Sequence, residues 1–204
     1  MSATSKTLTK QTWGVIRHNP YLLLFPVVAM IVGTVVVLIV IGVGVGALGF
    51  SGASADLAAA ADGGDLSLST KIIGIAVFVV AAYLGTLITQ VCMGGLVHCA
   101  DQELQGHDSS FGAGIGAAVG RLPDLIGWAA IQTAVGWLLS LIQGNGGDNV
   151  VVNILRLVLA TLASVAWSVI TFFVLPMIML RGKGPIEAIK ASVALIRKTW
   201  GMQI

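Results

Sequence analysis

Five residues able to hold a metal ion or move protons crowd one stretch of this chain: His98, Asp101, Glu103, His107 and Asp108. Imidazole and carboxylate are common metal ligands and acid–base catalysts. The spacing argues against a shared site. His98 and His107 are nine positions apart with Gly106 between them, so no common helix face carries both. A solvated loop following a membrane helix accounts for the cluster. A second motif, Gly44-Val45-Gly46-Ala47-Leu48-Gly49, matches the dinucleotide fingerprint G-x-G-x-x-G. That fingerprint needs a short strand before it and a helix after it. Here a long apolar run precedes it and an Ala/Gly/Ser segment follows, so it reads as a glycine-rich helix end. Overlapping it, Gly42 and Gly46 form a G-x-x-x-G pair suited to close helix packing. No catalytic residue, metal or cofactor is expected.

The polar residues inside apolar segments say more. Gln90 and Gln132 lie about 12 Å and about 11 Å from the inner ends of their segments at 1.5 Å per residue. A hydrogen bond between them across neighbouring helices would contribute about 0.6 kcal/mol. The same pair could instead line a polar path for a substrate. Thr86, Thr89, Thr133, Ser164, Ser168 and Thr171 can bond back to their own helices. Arg156 would cost at least ~2.5–3.5 kcal/mol at mid-membrane. Near the outer end of its segment it can reach the headgroups, with Asp148 as a partner. No carboxylate lies deep in any segment, which weighs against proton- or cation-coupled transport. Cys92 and Cys99 share a helix face but stand roughly 10 Å apart along it, too far to bridge.

The elements that carry these residues follow from composition. Hydrophobic residues make up 56% and charged ones 10%. A soluble domain carries about 25% charged residues, so lipid must solvate much of this chain. Four apolar stretches, about 21–47, 72–97, 125–142 and 150–180, are each near or above the ~20 residues that cross a bilayer. The last would end or kink at Pro176. Nine of the eleven basic residues fall on one side of these stretches; only Lys71 and Arg156 do not. By the positive-inside rule both termini are cytoplasmic. The net charge of +2 is too small and too spread to suggest nucleic acid. The fold expected is all-α: a polytopic helical membrane protein of the plasma membrane, a single transmembrane domain over 1–204. It has four transmembrane helices in two hairpins plus short amphipathic interfacial helices on the cytoplasmic side.

Those interfacial pieces are residues 1–20, 111–122 and 185–200. In the second, Gly112, Gly116 and Gly120 recur every four residues and predict one smooth packing stripe. In the third, Ile186, Ile189, Val193 and Ile196 form an apolar face, with Glu187, Lys190, Arg197 and Lys198 elsewhere. Trp13, Arg17, Arg156, Lys190, Arg197 and Trp200 are the expected interface anchors, meeting the anionic inner leaflet. Lys10-Gln11-Thr12-Trp13-Gly14 is echoed by Lys198-Thr199-Trp200-Gly201. The echo suggests a repeated plan in which a further hairpin follows residue 204.

Three motifs carry a resemblance. They are Thr12–Pro20 leading into Leu22–Pro26, Arg121-Leu122-Pro123 leading into Gly127-Trp128-Ala129, and Thr171–Pro176 continuing through Gly184–Ile189 to Trp200-Gly201. The chain resembles an uncharacterised family of actinobacterial multi-spanning membrane proteins, similar to the membrane parts attached to some glycerophosphodiester phosphodiesterases. That resemblance implies helices beyond this chain and brings no catalytic residues. The function expected is a non-enzymatic accessory or scaffold subunit of a larger inner-membrane assembly, with other membrane subunits and membrane lipids as partners. The alternative is a transporter or lipid-handling protein with a polar site near Gln90 and Gln132.

The charge asymmetry fixes a topology that labelling can check. A single cysteine replacing Asn145, in a cysteine-free background, should react with an impermeant maleimide added to intact cells. One replacing Ala3 should react only after the cells are opened; the reverse pattern would invert the protein.

Overall fold

The computed structural model describes residues 19–50, 56, 58, 65–143 and 150–200. A 3-10 turn, Pro20–Leu23, opens it. Seven helices follow: α1 (Leu24–Phe50), α2 (Leu68–Leu104), α3 (Phe111–Gly120), α4 (Leu122–Gln143), α5 (Val150–Thr171), α6 (Val174–Arg181) and α7 (Pro185–Trp200). No strand occurs among the described residues. The chain has four stretches long and apolar enough to cross a membrane: Pro20–Gly49, Leu68–Leu104, Leu122–Ile142 and Val150–Arg181. This is a multi-pass membrane architecture.

Proline explains several of the boundaries. All five prolines stand in the first turn of a helix or 3-10 turn: Pro20, Pro26, Pro123, Pro176 and Pro185. There the missing N–H has no intrahelical partner to lose. Pro176 explains why the fourth apolar stretch is not one helix. Its ring would clash with the carbonyl four residues earlier, and the helix breaks at Phe172–Phe173, a turn before the proline. The break leaves the Ile170 carbonyl without its helical partner, and the wholly buried Ser192 hydroxyl of α7 donates to it. α6 ends at Gly182 (φ 61°), whose N–H donates to the Ile178 carbonyl while Lys183 N–H donates to Met177. That left-handed residue turns the chain into α7.

The long helices pack as a row in the order α1, α2, α4, α5, with α1 making no comparable contact with α4 or α5. α2 is the spine, touching α1, α3, α4 and α6. The buried residues concentrate at one end of the row. One cluster joins Ala118 of α3, Leu125 and Trp128 of α4, Val174, Ile178 and Met179 of α6, and Ala188 of α7. The other joins Leu22, Phe25 and Cys99, with Phe111 and Ile115 against them. In the far half, Leu48 of α1 and Thr70 and Ala81 of α2 are buried. The start of α2 is anchored there, where Ser67 caps the helix and the Thr70 hydroxyl donates to Asp56 at 2.9 Å. Hydrogen bonds from Ser67 and Thr70 hold the Asp56 carboxyl below the usual range.

The two clusters meet where α3 lies on α2, and glycine makes that approach possible. A Cβ on Gly114 would stand 2.5 Å from Cys99 Sγ, 2.7 Å from Phe25 Cζ and 2.8 Å from the Gly95 carbonyl oxygen. A Cβ on Gly95 would stand 2.7 Å from Phe25 Cε1 and 3.0 Å from the Gly114 backbone. The expected packing stripe of Gly112, Gly116 and Gly120 is therefore corrected. All three are exposed with open space beside them, because α3 turns the Gly114–Ala118 face to α2. Gly42 and Gly46 likewise face open space, and the close approach of α1 to α2 is at Gly44, against Val77.

Gly114→Val should lower stability by about 1–3 kcal/mol, the usual cost of forcing extra atoms into a packed contact. Gly116→Ala should instead raise it by up to about 1 kcal/mol, the helix preference of alanine. Thermal unfolding in mild detergent compares the two; equal effects would contradict the orientation of α3.

Candidate functional site

The titratable cluster that opened the sequence lies on structure, not in a loop. α2 continues to Leu104, so His98, Asp101 and Glu103 occupy its last two turns, and only His107 and Asp108 follow it. The helix runs on because nothing before Gly106 (φ 80°) stops it. Among the described residues, no group of three or more His, Cys, Asp or Glu could hold a metal. Glu103 has a different task. Its Oε2 accepts from Asn19 Nδ2 at 2.8 Å, and its Oε1 accepts from the Tyr21 hydroxyl at 2.7 Å and the Ser109 N–H at 3.2 Å. One carboxylate thus ties the chain entering α1 to the end of α2 and to the approach to α3. Beneath it, Cys99 is wholly buried, its thiol donating to the Ser110 carbonyl and accepting from the Ser109 hydroxyl. Cys92 and Cys99 are both free thiols.

Gln132 and Gln90 do not pair. Gln132 Oε1 accepts from Trp167 Nε1 of α5 at 3.1 Å, and that indole stacks on Trp128 with ring centroids 6.2 Å apart. The bond therefore joins α4 to α5 rather than α2 to α4. Gln90 lies partly buried on α2. Arg156 is partly buried near the start of α5 and is not without a partner; Asp148 lies outside the described residues. Lys190 and Arg197 are exposed on α7. Trp13, Arg17 and the Trp200 side chain lie outside the described residues. The G-x-G-x-x-G segment lies within α1 as continuous helix, which removes the phosphate-binding turn the motif needs.

What the sequence did not disclose is a crevice between α2 and α4. It consists of two cavities of about 220 Å³ and about 410 Å³ that share Val79, Thr133 and Trp137. Gln132, Gly136 and Ser140 line the smaller, and Tyr83 and Ala134 the larger. The walls are almost wholly apolar. The sequence signal for it is the run of small residues on α4, Ala130, Ala134 and Gly136, which line it beside Trp137. A second feature at the other end is Arg121, whose guanidinium lies against Gly182, where a Cβ would stand 2.5 Å from one terminal nitrogen.

Glu103→Ala should leave the Asn19, Tyr21 and Ser109 donors without their acceptor, costing about 1–3 kcal/mol. The expected readout is a rise in the maleimide reactivity of Cys99 in a Cys92→Ala background. An unchanged rate would show that Glu103 does not hold the junction closed.

No curated protein and no solved structure matches the chain. A family model matches residues 70–204, from the start of α2 through α7 and including both walls of the crevice. The chain thus belongs to a family of unknown function, DUF6159.

Proposed function

We propose that the protein is a non-enzymatic membrane subunit, an accessory or scaffold component of a larger assembly in the plasma membrane. The observation that carries this reading is the open row. α1 and α5 stand at opposite edges, and in α2 only 6% of its most apolar stretch is buried within the chain. A four-helix protein that worked alone around an interior site would wrap its helices around that site. A row instead offers two broad apolar faces to lipid and to neighbouring membrane proteins.

The rest of the arrangement is read in the same terms. α1–α2 and α4–α5 are two transmembrane hairpins, and both termini are cytoplasmic. α3 and α7 are interfacial helices at the cytoplasmic face. α7 buries Ala188 and Ser192 while exposing Glu187, Lys190, Arg197 and Lys198. Its basic residues meet the anionic inner leaflet at roughly 1 kcal/mol for each Lys or Arg near the surface. Nucleic acid is not a partner. An actinobacterial source and kinship with the membrane parts of glycerophosphodiester phosphodiesterases belong to the same proposal.

Gentle detergent extraction of the tagged native protein, followed by mass spectrometry, tests the reading. One defined membrane protein should co-purify at fixed stoichiometry. Recovery only as a monomer or homo-oligomer would contradict it. The crevice beside Gln132 favours a second reading, a lipid-handling protein.

A further inference from the structure

Arg121 is a cation whose place the fold sets closely. Its backbone is held from both sides: its N–H donates to the Ala118 carbonyl, and its carbonyl accepts from the Asp124 and Leu125 N–H groups. Its side chain reaches across to the linker between α6 and α7. There a Cβ on Gly182 would stand 2.5–2.9 Å from three guanidinium atoms, so the absence of a side chain is what lets the group settle. Gly182 stands between Arg181 and Lys183. One guanidinium is thus seated on a linker that carries two further cations.

The protein does not pair these charges. Among the described residues the one ion pair is Lys71–Asp65, at the start of α2. None of the three cationic side chains donates a hydrogen bond to the protein among those residues. The C-terminus of α6 attracts a cation through its dipole, yet Arg121 donates to none of its carbonyls. Two carboxylates belong to the same end. Asp124 Oδ1 lies 4.0 Å from where a Cβ on Gly184 would stand, and Glu187 is exposed in the first turn of α7. Neither is within ion-pair distance of Arg121, Arg181 or Lys183. Like charges brought together repel, and an anion set between them removes that cost. Arginine suits phosphate in particular, because its planar fork can give two parallel N–H bonds to phosphate oxygens.

The position in the spans says which phosphate. Arg121 immediately precedes the stretch Leu122–Ile142, and Arg181 is the last residue of Val150–Arg181. Because Arg121 touches Gly182, these two ends lie at one membrane surface, at the depth of the lipid headgroups. Further in, Ile126 of α4 and Leu180 of α6 are exposed, an apolar surface for acyl chains. A choline or ethanolamine ammonium would meet the same cations and be repelled, so the headgroup must carry net negative charge.

We infer that the junction of Arg121 with the Arg181–Lys183 linker is a discrete site for the phosphate of one anionic glycerophospholipid. It is distinct from the general attraction of α7 to an anionic leaflet, and it stands whether or not a protein partner exists.

The test uses the full chain in mild detergent. Native mass spectrometry counts bound lipid as phosphatidylglycerol or phosphatidylcholine is titrated in. One phosphatidylglycerol should be retained per chain in preference to phosphatidylcholine. Arg121→Gln should weaken that binding about tenfold, the worth of one charge-assisted hydrogen bond. Arg121→Lys keeps the charge without the fork and should recover only part of the loss. Lys183→Gln leaves Arg121 in place and should also weaken binding. Lys190→Gln combined with Arg197→Gln removes two charges from α7, yet should cost less than Arg121→Gln alone. Equal retention of the two lipids would overturn the assignment. So would wild-type binding in either single glutamine variant, or a loss in the α7 double variant as large as that in Arg121→Gln. Displacement of phosphatidylglycerol by inorganic phosphate at equal concentration would make the site one for a soluble anion, and would overturn it too.

Discussion

Everything at the packed end of this protein depends on backbone meeting backbone at Gly95 and Gly114. Because neither residue has a side chain, α3 lies directly on α2, and the space they would have filled is taken by the Phe25 ring and the Cys99 thiol. Glu103 then closes the same place from above with three hydrogen bonds to two other segments, the chain entering α1 and the approach to α3. In hydrocarbon, apolar contact between helices has no hydrophobic advantage over contact with lipid. Close van der Waals contact and polar bonds must do that work, and here both are gathered on one short stretch of α2.

The consequence is an uneven molecule. At the cation-rich end, Trp128, Leu125, Val174 and Ile178 are buried almost completely. Toward the other end, the row is joined mainly by pairwise helix contacts such as Gly44 against Val77 and the Trp167–Gln132 bond. A row tightly fastened at one end and loosely joined at the other lets neighbouring helices separate between the fastenings. The α2–α4 crevice lies in that looser part, between Trp128 and the far end of α4. The crevice lies where Ala130, Ala134 and Gly136 of α4 face α2.

The spans were legible because their apolar length is a bulk property. So were their ends wherever proline or glycine punctuates the chain, as at Pro20, Pro123, Gly182 and Pro185. The length of α2 was not, because the change from apolar to polar residues at His98 looks like the end of a helix, while only Gly106 actually interrupts the backbone. The glycine contacts were misread for a related reason. Four-residue spacing identifies a face, and Gly112, Gly116 and Gly120 do share one, but nothing in the spacing says that the face is turned inward. Gly95 and Gly114 have no such spacing, and only the pairing of helices reveals them. Gln132 lies in a helix long and apolar enough to cross a membrane, yet its partner is an indole of α5, a choice set by tertiary packing. Thr133 looked like any other membrane hydroxyl, but Thr86, Thr89, Ser164 and Thr171 bond to their own helices and it does not.

The open row is the claim on which the rest stands, and one distance tests it most directly. Val35 of α1 and Leu159 of α5 are both exposed and lie at similar depth on the two edge helices. Pulsed electron–electron resonance between spin labels at these positions, in a cysteine-free background and in lipid nanodiscs, reads their separation. Three helix spacings of 8–10 Å predict roughly 25 Å between the backbones. A separation near a single spacing, roughly 10 Å, would mean that α1 and α5 close the row into a bundle, and would contradict the account.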